Sequence, residues 1–277
     1  MTTRAPTAAR FIDTHAHLES EQFDGRQNLV IQTALDAGVQ KIIAIGCTWG
    51  SSQKSLYLAK QHENVFAAVG IHPNYCSTAT DHDWERILAM LEHPKVVALG
   101  ETGLDRYWDY APFELQQEYF DRHLRTSQKT GLPFIVHMRQ CEQEILEMLQ
   151  KARQRGPLRG VMHSFTGDSV TASNCLDLGM YISFAGMVTF KKNDALREVA
   201  AMIPANRILL ETDCPYLSPH PYRSKRPNHP AMIVHTAQCV ADVRGVSLEE
   251  IGMQSTQNAG DLFTRLGGND DNTKSGA

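Results

Sequence analysis

The chain has no excess of positive charge: 27 Lys and Arg stand against 31 Asp and Glu, for a net charge of −4. That argues against a protein that grips long nucleic acid through a broad basic surface, but not against an enzyme whose own cations meet a phosphate. It also lacks any Cys-x-x-Cys pair. The six cysteines (Cys47, Cys76, Cys141, Cys175, Cys214, Cys239) are scattered, which reads as free thiols in a reducing compartment. No apolar run approaches the roughly 18 residues of a membrane span. The first ten residues lack the apolar stretch of a secretory signal, and only Arg4 and Arg10 in a Thr/Ala-rich leader leave organelle targeting open. The expectation is a cytoplasmic protein with no membrane association and no obligate protein partner.

What the chain has instead is a series of short, almost unbroken apolar runs. Strands are expected at Phe11–His17, Lys41–Cys47, Phe66–His72, Val96–Glu101, Pro133–His137, Gly160–Phe165, Met180–Phe184 and Arg207–Asp213. Ile42-Ile43-Ala44-Ile45 and Ile208-Leu209-Leu210 do not alternate apolar with polar, which suits strands covered on both faces, as in a parallel sheet. Between them lie helical periodicities at Asn28–Ala37, Leu115–Thr130, Cys141–Arg155, Asp194–Met202 and Val234–Val243, several stopped by Gly or Gly-Pro. Strand and helix in alternation, without a repeat or an internal linker, predict an α/β fold: a single-domain (β/α)8 TIM barrel over residues 11–266. Residues 1–10 read as a flexible leader. The stretch 267–277, rich in Gly, Asn and Asp, reads as a disordered tail.

Six metal-ligand residue types fall at or just after the ends of these runs: His15, His17, Glu101, His137, His163 and Asp213. A barrel of parallel strands gathers its strand ends on one face, so ligands far apart in sequence can share a pocket. His15 and His17 are two apart, and residues two apart in an extended strand point the same way. Imidazole and carboxylate donors without thiolate suit Zn, Mn, Fe or Co, with Mg less favoured. Four histidines and two carboxylates exceed what one tetrahedral ion needs, so two divalent ions bridged by Glu101 are expected. Ions ~3.5–4 Å apart can hold a phosphoryl oxygen and activate a water. Asp213 is the candidate to take that water's proton, which makes Asp213 and Glu101 the candidate catalytic residues. His72, which ends the third run, reads equally as a structural histidine or a substrate contact.

The strings Phe11-Ile-Asp-Thr-His-Ala-His-Leu18, Gly70-Ile-His-Pro73, Gly100-Glu-Thr-Gly-Leu-Asp105, His163-Ser-Phe-Thr-Gly167 and Glu211-Thr-Asp-Cys-Pro-Tyr-Leu217 closely resemble the TatD family of metal-dependent deoxyribonucleases, in that family's order and spacing. The His-x-His start is shared with the wider amidohydrolase superfamily; its combination with the strings at 100–105 and 211–217 is specific. The resemblance implies a TIM barrel that holds divalent metal and hydrolyses DNA phosphodiester bonds, commonly as a 3′–5′ exonuclease acting on a transiently bound strand. It places the family's metal positions on His15, His17, Glu101, His137, His163 and Asp213; it also matches His72, which could contact a phosphate or orient a ligand, and Asp105, which could simply order its loop. The chain departs from the family after the last strand, where Ser224 and His229 in Arg223-Ser-Lys-Arg-Pro-Asn-His-Pro230 stand at positions often Gly and Glu. That departure bears on substrate preference more than on metal chemistry.

Arg223 and Lys225, with Arg139 two residues beyond His137, read as a clamp for the phosphate backbone or as a solvated charge run. Tyr107, Trp108 and Tyr110 fall in a strand-to-helix loop, where they could stack an unpaired base or serve as ordinary packing. Cys214, beside Asp213, reads as a small buried neighbour rather than a nucleophile. The competing reading is a hydrolase on the same scaffold acting on an ester such as an aminoacyl-tRNA, or on a small amide or phosphoester. A barrel that has lost catalysis is disfavoured because every ligand type is kept.

Overall fold

The apolar runs form eight strands: β1 (Phe11–Ala16), β2 (Val39–Ile45), β3 (Val65–Val69), β4 (Val96–Asp105), β5 (Phe134–Arg139), β6 (Gly160–Met162), β7 (Tyr181–Phe184) and β8 (Ile208–Leu210). Each pairs in parallel with the next in sequence. The helices are α1 (Gln27–Asp36), α2 (Trp49–Gln61), α3 (Asp81–Met90), α4 (Phe113–Thr130), α5 (Glu142–Arg155), α6 (Ser169–Asp177), α7 (Asp194–Met202), α8 (Ile233–Arg244) and α9 (Leu248–Leu262). These elements come from a computed structural model that describes residues 9–267. Most of the leader expected over 1–10 and nearly all of the tail expected over 267–277 lie outside the described residues. The architecture is the expected (β/α)8 TIM barrel.

Alternation along each strand splits the core in two. Ile12, Ile43, Ile45, Phe66, Val97, Ile135, Val161 and Leu209 fill one cluster with Leu262, the last residue of α9, and Phe263 and Leu266 just beyond it. Phe11, Ile42, Ala44, Val65, Ala67 and Phe134 join the larger cluster beneath the helices. The segment at the end of α9 is tied to the first residues of the strands. Arg265 donates to the carbonyl of Val96 at 2.8 Å, Arg159 to that of Leu262 at 3.1 Å, and Asn258 to that of Ile208 at 2.8 Å. One mouth of the barrel is thereby plugged with apolar side chains, and chemistry is left to the other.

The barrel closes between its first and last strands through little backbone pairing, a single parallel bridge from Ala16 to Cys214. Side chains complete the seam. Thr14 Oγ1 donates to Leu210 O at 3.0 Å, and the buried Asp13 carboxylate accepts from Thr212 Oγ1 at 2.6 Å and Thr212 N at 3.0 Å. His17 N then donates to Cys214 O at 2.7 Å, and Asp213 N to His15 O at 2.9 Å, so the seam runs straight into the ligand residues.

β4 runs four residues past the expected end at Glu101, and its glycines make that extension feasible. Gly103 has φ +133°, and a Cβ there would lie 2.1 Å from the carbonyl oxygen of His137. Only glycine allows the chain to pass this close to β5 in this conformation.

Candidate metal centre and active site

Glu101 leaves β4 into the open mouth, buried, with its two oxygens facing different histidines. Oε2 lies 3.2 Å from His15 Nε2 and 3.8 Å from His17 Nε2. Oε1 lies 2.9 Å from His163 Nε2, 2.9 Å from His137 Nδ1 and 3.4 Å from His72 Nε2. Asp213 joins the first side, its Oδ1 at 3.4 Å from His17 Nε2 and 3.7 Å from His15 Nε2. All six residues expected as ligands therefore converge, and His72 comes with them.

Elements fix each side chain. His15 is the fifth residue of β1, and His17 follows its end on the same side of the chain. His137 lies within β5 rather than at its end, because β5 continues to Arg139. His163 directly follows β6. Asp213 stands beyond β8 at φ +52°, and Ser164, beside His163, has φ +42°. Both are left-handed conformations that cost a non-glycine residue free energy and are held by their surroundings. His72 does not end β3, which stops at Val69; it caps the following 3-10 turn, its Nδ1 accepting from Asn74 N at 3.1 Å. That bond leaves Nε2 free to face Glu101. A further buried histidine positions this loop from behind: His123 of α4 accepts from Ile71 N at Nε2 (3.1 Å) and so carries its proton at Nδ1, toward the Tyr119 carbonyl at 2.7 Å.

Behind the ligands sits a set of orienting groups. Glu211 Oε1 lies 3.2 Å from His163 Nδ1 and accepts from Ser164 N at 2.6 Å. Asp105 Oδ2 lies 3.0 Å from His137 Nε2. Glu19 Oε1 is 3.6 Å from His17 Nδ1, with the Cys47 sulfur 3.9 Å from the same nitrogen. Carboxylates on the outer nitrogens of metal-binding histidines fix ring orientation and raise donor strength. Sequence reasoning passed over Glu211 as a site residue, although it stands in the quoted string 211–217; it read Asp105 as ordering its loop, which it does, and missed that Asp105 also faces His137. It also missed Cys47 and Asp13. Glu211, Cys47 and Asp13 each reach a partner remote in the chain, His163, His17 and Thr212, which local spacing does not reveal.

Burial raises the Glu101 carboxyl, but the surrounding imidazoles of His163, His72, His15 and His137 more than reverse this and hold it well below its ordinary value. Burial would likewise raise Asp213; His17 and the neighbouring histidines bring it down, so it stands as a carboxylate able to accept a proton. Burial lowers His72 to about 4, keeping it neutral. The donor set fits a divalent cation. His15 Nε2 and His17 Nε2 lie 3.3 Å apart, two ring nitrogens aimed at one point beside two carboxylate oxygens, an arrangement a positive ion between them would relieve. Ligand-type atoms lie close enough for coordination in three overlapping sets: His15–His17–Glu101, His15–His163–Asp213 and His72–Glu101–His137.

The residues expected to meet substrate are distributed differently. Arg139 is exposed, with its guanidinium carbon 3.7 Å from the centre of the Tyr107 ring. Arg223 and Lys225 lie on the exposed loop after β8, over the rings of Phe190 (3.8 Å) and Tyr222 (4.9 Å) rather than on the ligand cluster. Cys214 is fully buried, as expected. Among the described residues no helix is long and apolar enough to cross a membrane.

Comparison with known proteins agrees with this geometry. The family model described as TatD related DNase matches residues 12–264. The chain is 36% identical over 251 residues to the uncharacterized metal-dependent hydrolase YabD of Bacillus subtilis, covering 91% of this chain and 98% of that one. It is 35% identical over 255 residues to the uncharacterized metal-dependent hydrolase YcfH of Escherichia coli, covering 91% and 95%. Among solved structures, the TatD homologue YjjV of Escherichia coli superposes with a TM-score of 0.87 at 31% identity, over 93% of this chain and 99% of that one. With its ligand types intact and gathered on one barrel mouth, the chain belongs to the TatD family of metal-dependent hydrolases.

Proposed function

We propose that the protein hydrolyses DNA phosphodiester bonds, working from single-stranded 3′ ends, with two divalent ions (Zn, Mn or Mg) held on either side of Glu101. One observation carries this reading: the two oxygens of a single buried carboxylate face separate groups of imidazoles, His15 and His17 on one side and His72, His137 and His163 on the other. Divalent ions held there would supply Lewis acidity toward a phosphoryl oxygen and acidify water at neutral pH. His15, His17, Glu101 and Asp213 would hold one ion, and Glu101, His137 and His163 the other. Asp213, ionised, would accept the proton of the water that attacks phosphorus; the P–O3′ bond breaks as the new P–O bond forms, and the leaving 3′-oxygen takes up a proton from Asp213 or from water, leaving a 3′-hydroxyl on the shortened strand. Glu211 and Asp105 hold the rings of His163 and His137 in place.

Arg139, Arg223 and Lys225 are the cations offered to the strand's phosphates. On a chain of net charge −4 a loose strand end is favoured over a duplex, which would first have to be opened. No obligate protein partner is needed for this chemistry.

The test is digestion of 3′- and 5′-labelled single-stranded DNA with Mg, Mn or Zn, beside RNA, duplex and the Glu101→Gln variant. Metal-dependent shortening from the 3′ end, reduced by orders of magnitude in the variant, is the expected result. Protein carrying stoichiometric metal that leaves every strand intact would overturn the reading in favour of an ester, small amide or small phosphoester substrate.

A further inference from the structure

The loop between β4 and α4 holds three aromatic rings out in solvent. Tyr107 is 49% exposed, Trp108 42% and Tyr110 60%. Rings this exposed are not core packing, and the loop that bears them is far from slack. Gln116, buried in α4, donates to the carbonyls of Asp105 (3.1 Å) and Ala111 (3.0 Å) and accepts from Asp105 N (2.8 Å). Asp105 Oδ1 accepts from Tyr107 N at 2.8 Å and Trp108 N at 3.1 Å. The rings are ordered among themselves: Trp108 and Tyr110 stack with centroids 5.4 Å apart and planes 14° apart, and Tyr107 meets Trp108 edge-on at 4.8 Å. Arg139 lies against Tyr107 at 3.7 Å and within 5.7 Å of the Trp108 ring. Its neighbour Arg106 is already neutralised by Glu144 at 2.7 Å. The other oxygen of Asp105 sits 3.0 Å from His137 Nε2, so one buried carboxylate holds both a ligand ring of the metal centre and the loop that presents the aromatics.

We propose that Trp108 and Tyr110 form a stacking platform for an unpaired base of the DNA strand, with Arg139 beside it for the adjoining phosphate. The proposal rests on the nuclease reading and adds how the strand is held. Bases of any sequence offer a π-face to such rings, and a neighbouring guanidinium supplies both phosphate charge and further stacking. A rigid loop has its rings arranged before the strand arrives, so little ordering is lost on binding. Because Asp105 holds both His137 and the backbone at Tyr107 and Trp108, the loop that carries the platform is anchored to the ligand cluster through one carboxylate. Double-stranded DNA, whose bases already stack on one another, gains nothing from these rings.

The experiment compares the native chain with the double variant Trp108→Ala, Tyr110→Ala, checked for fold by circular dichroism and for metal by elemental analysis. Affinity is read by fluorescence anisotropy, with chelator present to stop cleavage, for a short single-stranded oligonucleotide and for the same strand with abasic sites in its last three nucleotides. Cleavage of both strands is measured separately with metal. The expected result is that the double variant loses roughly tenfold or more in affinity for the base-bearing strand. Its affinity for the abasic strand should match that of the native chain. Equal losses on both strands, or none on either, would overturn the platform. Base-dependent binding without cleavage by the native chain would keep the platform and overturn the nuclease reading. Cleavage indifferent to the bases would do the reverse.

Discussion

At Glu101 a single carboxylate contacts five imidazoles, and its neutral isostere would leave those rings without the charge that gathers them. The residues behind the rings are more informative to change. Glu211→Gln keeps the size of the side chain but replaces the anion that His163 Nδ1 and Ser164 N both use. Metal affinity, measured by competition with a chromophoric chelator, should weaken about 10- to 100-fold with the fold intact; unchanged affinity would remove Glu211 from the site. His123 gives a pH test away from the ligands. Burial holds it at about 4, against 6.5 for an ordinary histidine. Its folded value is the lower one, so as pH falls the unfolded chain takes up the proton first. The stability that depends on His123 being neutral is full above the ordinary value and is lost between there and about pH 4, in all about 3 kcal/mol. Urea unfolding across that window should show the loss in the native chain and a flatter curve in His123→Gln. Parallel curves would mean that the ring is not held neutral.

Element by element, the sequence was most readable where packing is simplest. A strand covered on both faces has to be an apolar run, so all eight strands could be found, and polar residues that interrupt such runs at their ends stood out as candidate ligands. The helices α2, α3, α6 and α9 were not placed individually. α2 opens with Trp-Gly-Ser-Ser, and α9 carries Gly252, Asn258 and Gly260 amid its apolar positions, so their helical character rests on caps at Thr48 and Ser247 and on tertiary contacts. Asp13 and Glu211 remained hidden for a related reason: their partners Thr212 and His163 are 199 and 48 residues away. The run of β4 beyond Glu101 depends on Gly103, whose role is backbone clearance. Gly103→Ala should cost about 3 kcal/mol in chemical denaturation and displace His137, lowering bound metal as well; full metal occupancy in a stable variant would contradict the close approach of β4 and β5. Phe263 tests the opposite end. It is fully buried in the apolar plug, and Phe263→Ala should cost about 3–5 kcal/mol while leaving metal stoichiometry at saturating metal as it was. A change in stoichiometry would mean that the two mouths of the barrel are not independent.

Across the whole molecule, charge sets the manner of binding. On the nuclease reading, with a net charge of −4 and Arg139, Arg223 and Lys225 as the cations offered to the strand, the logarithm of DNA affinity should fall against the logarithm of salt with a slope near about −2, at roughly −0.7 per phosphate neutralised on a single strand. A slope twice as steep would reveal a basic surface not accounted for by these three. The seam between β1 and β8 has a consequence of a different kind. His15 and His17 leave the first strand, Asp213 follows the last, and they meet only where Ala16 and Cys214 bridge. During synthesis from the amino terminus, His15 and His17 emerge almost 200 residues before Asp213, the last of the candidate ligands. The set that includes Asp213 is therefore incomplete in a nascent chain until the barrel is nearly finished. On this reading a chain cut short before Asp213 lacks one of its candidate ligands, and metal binding by a truncation ending before that residue should fall short of the full chain's.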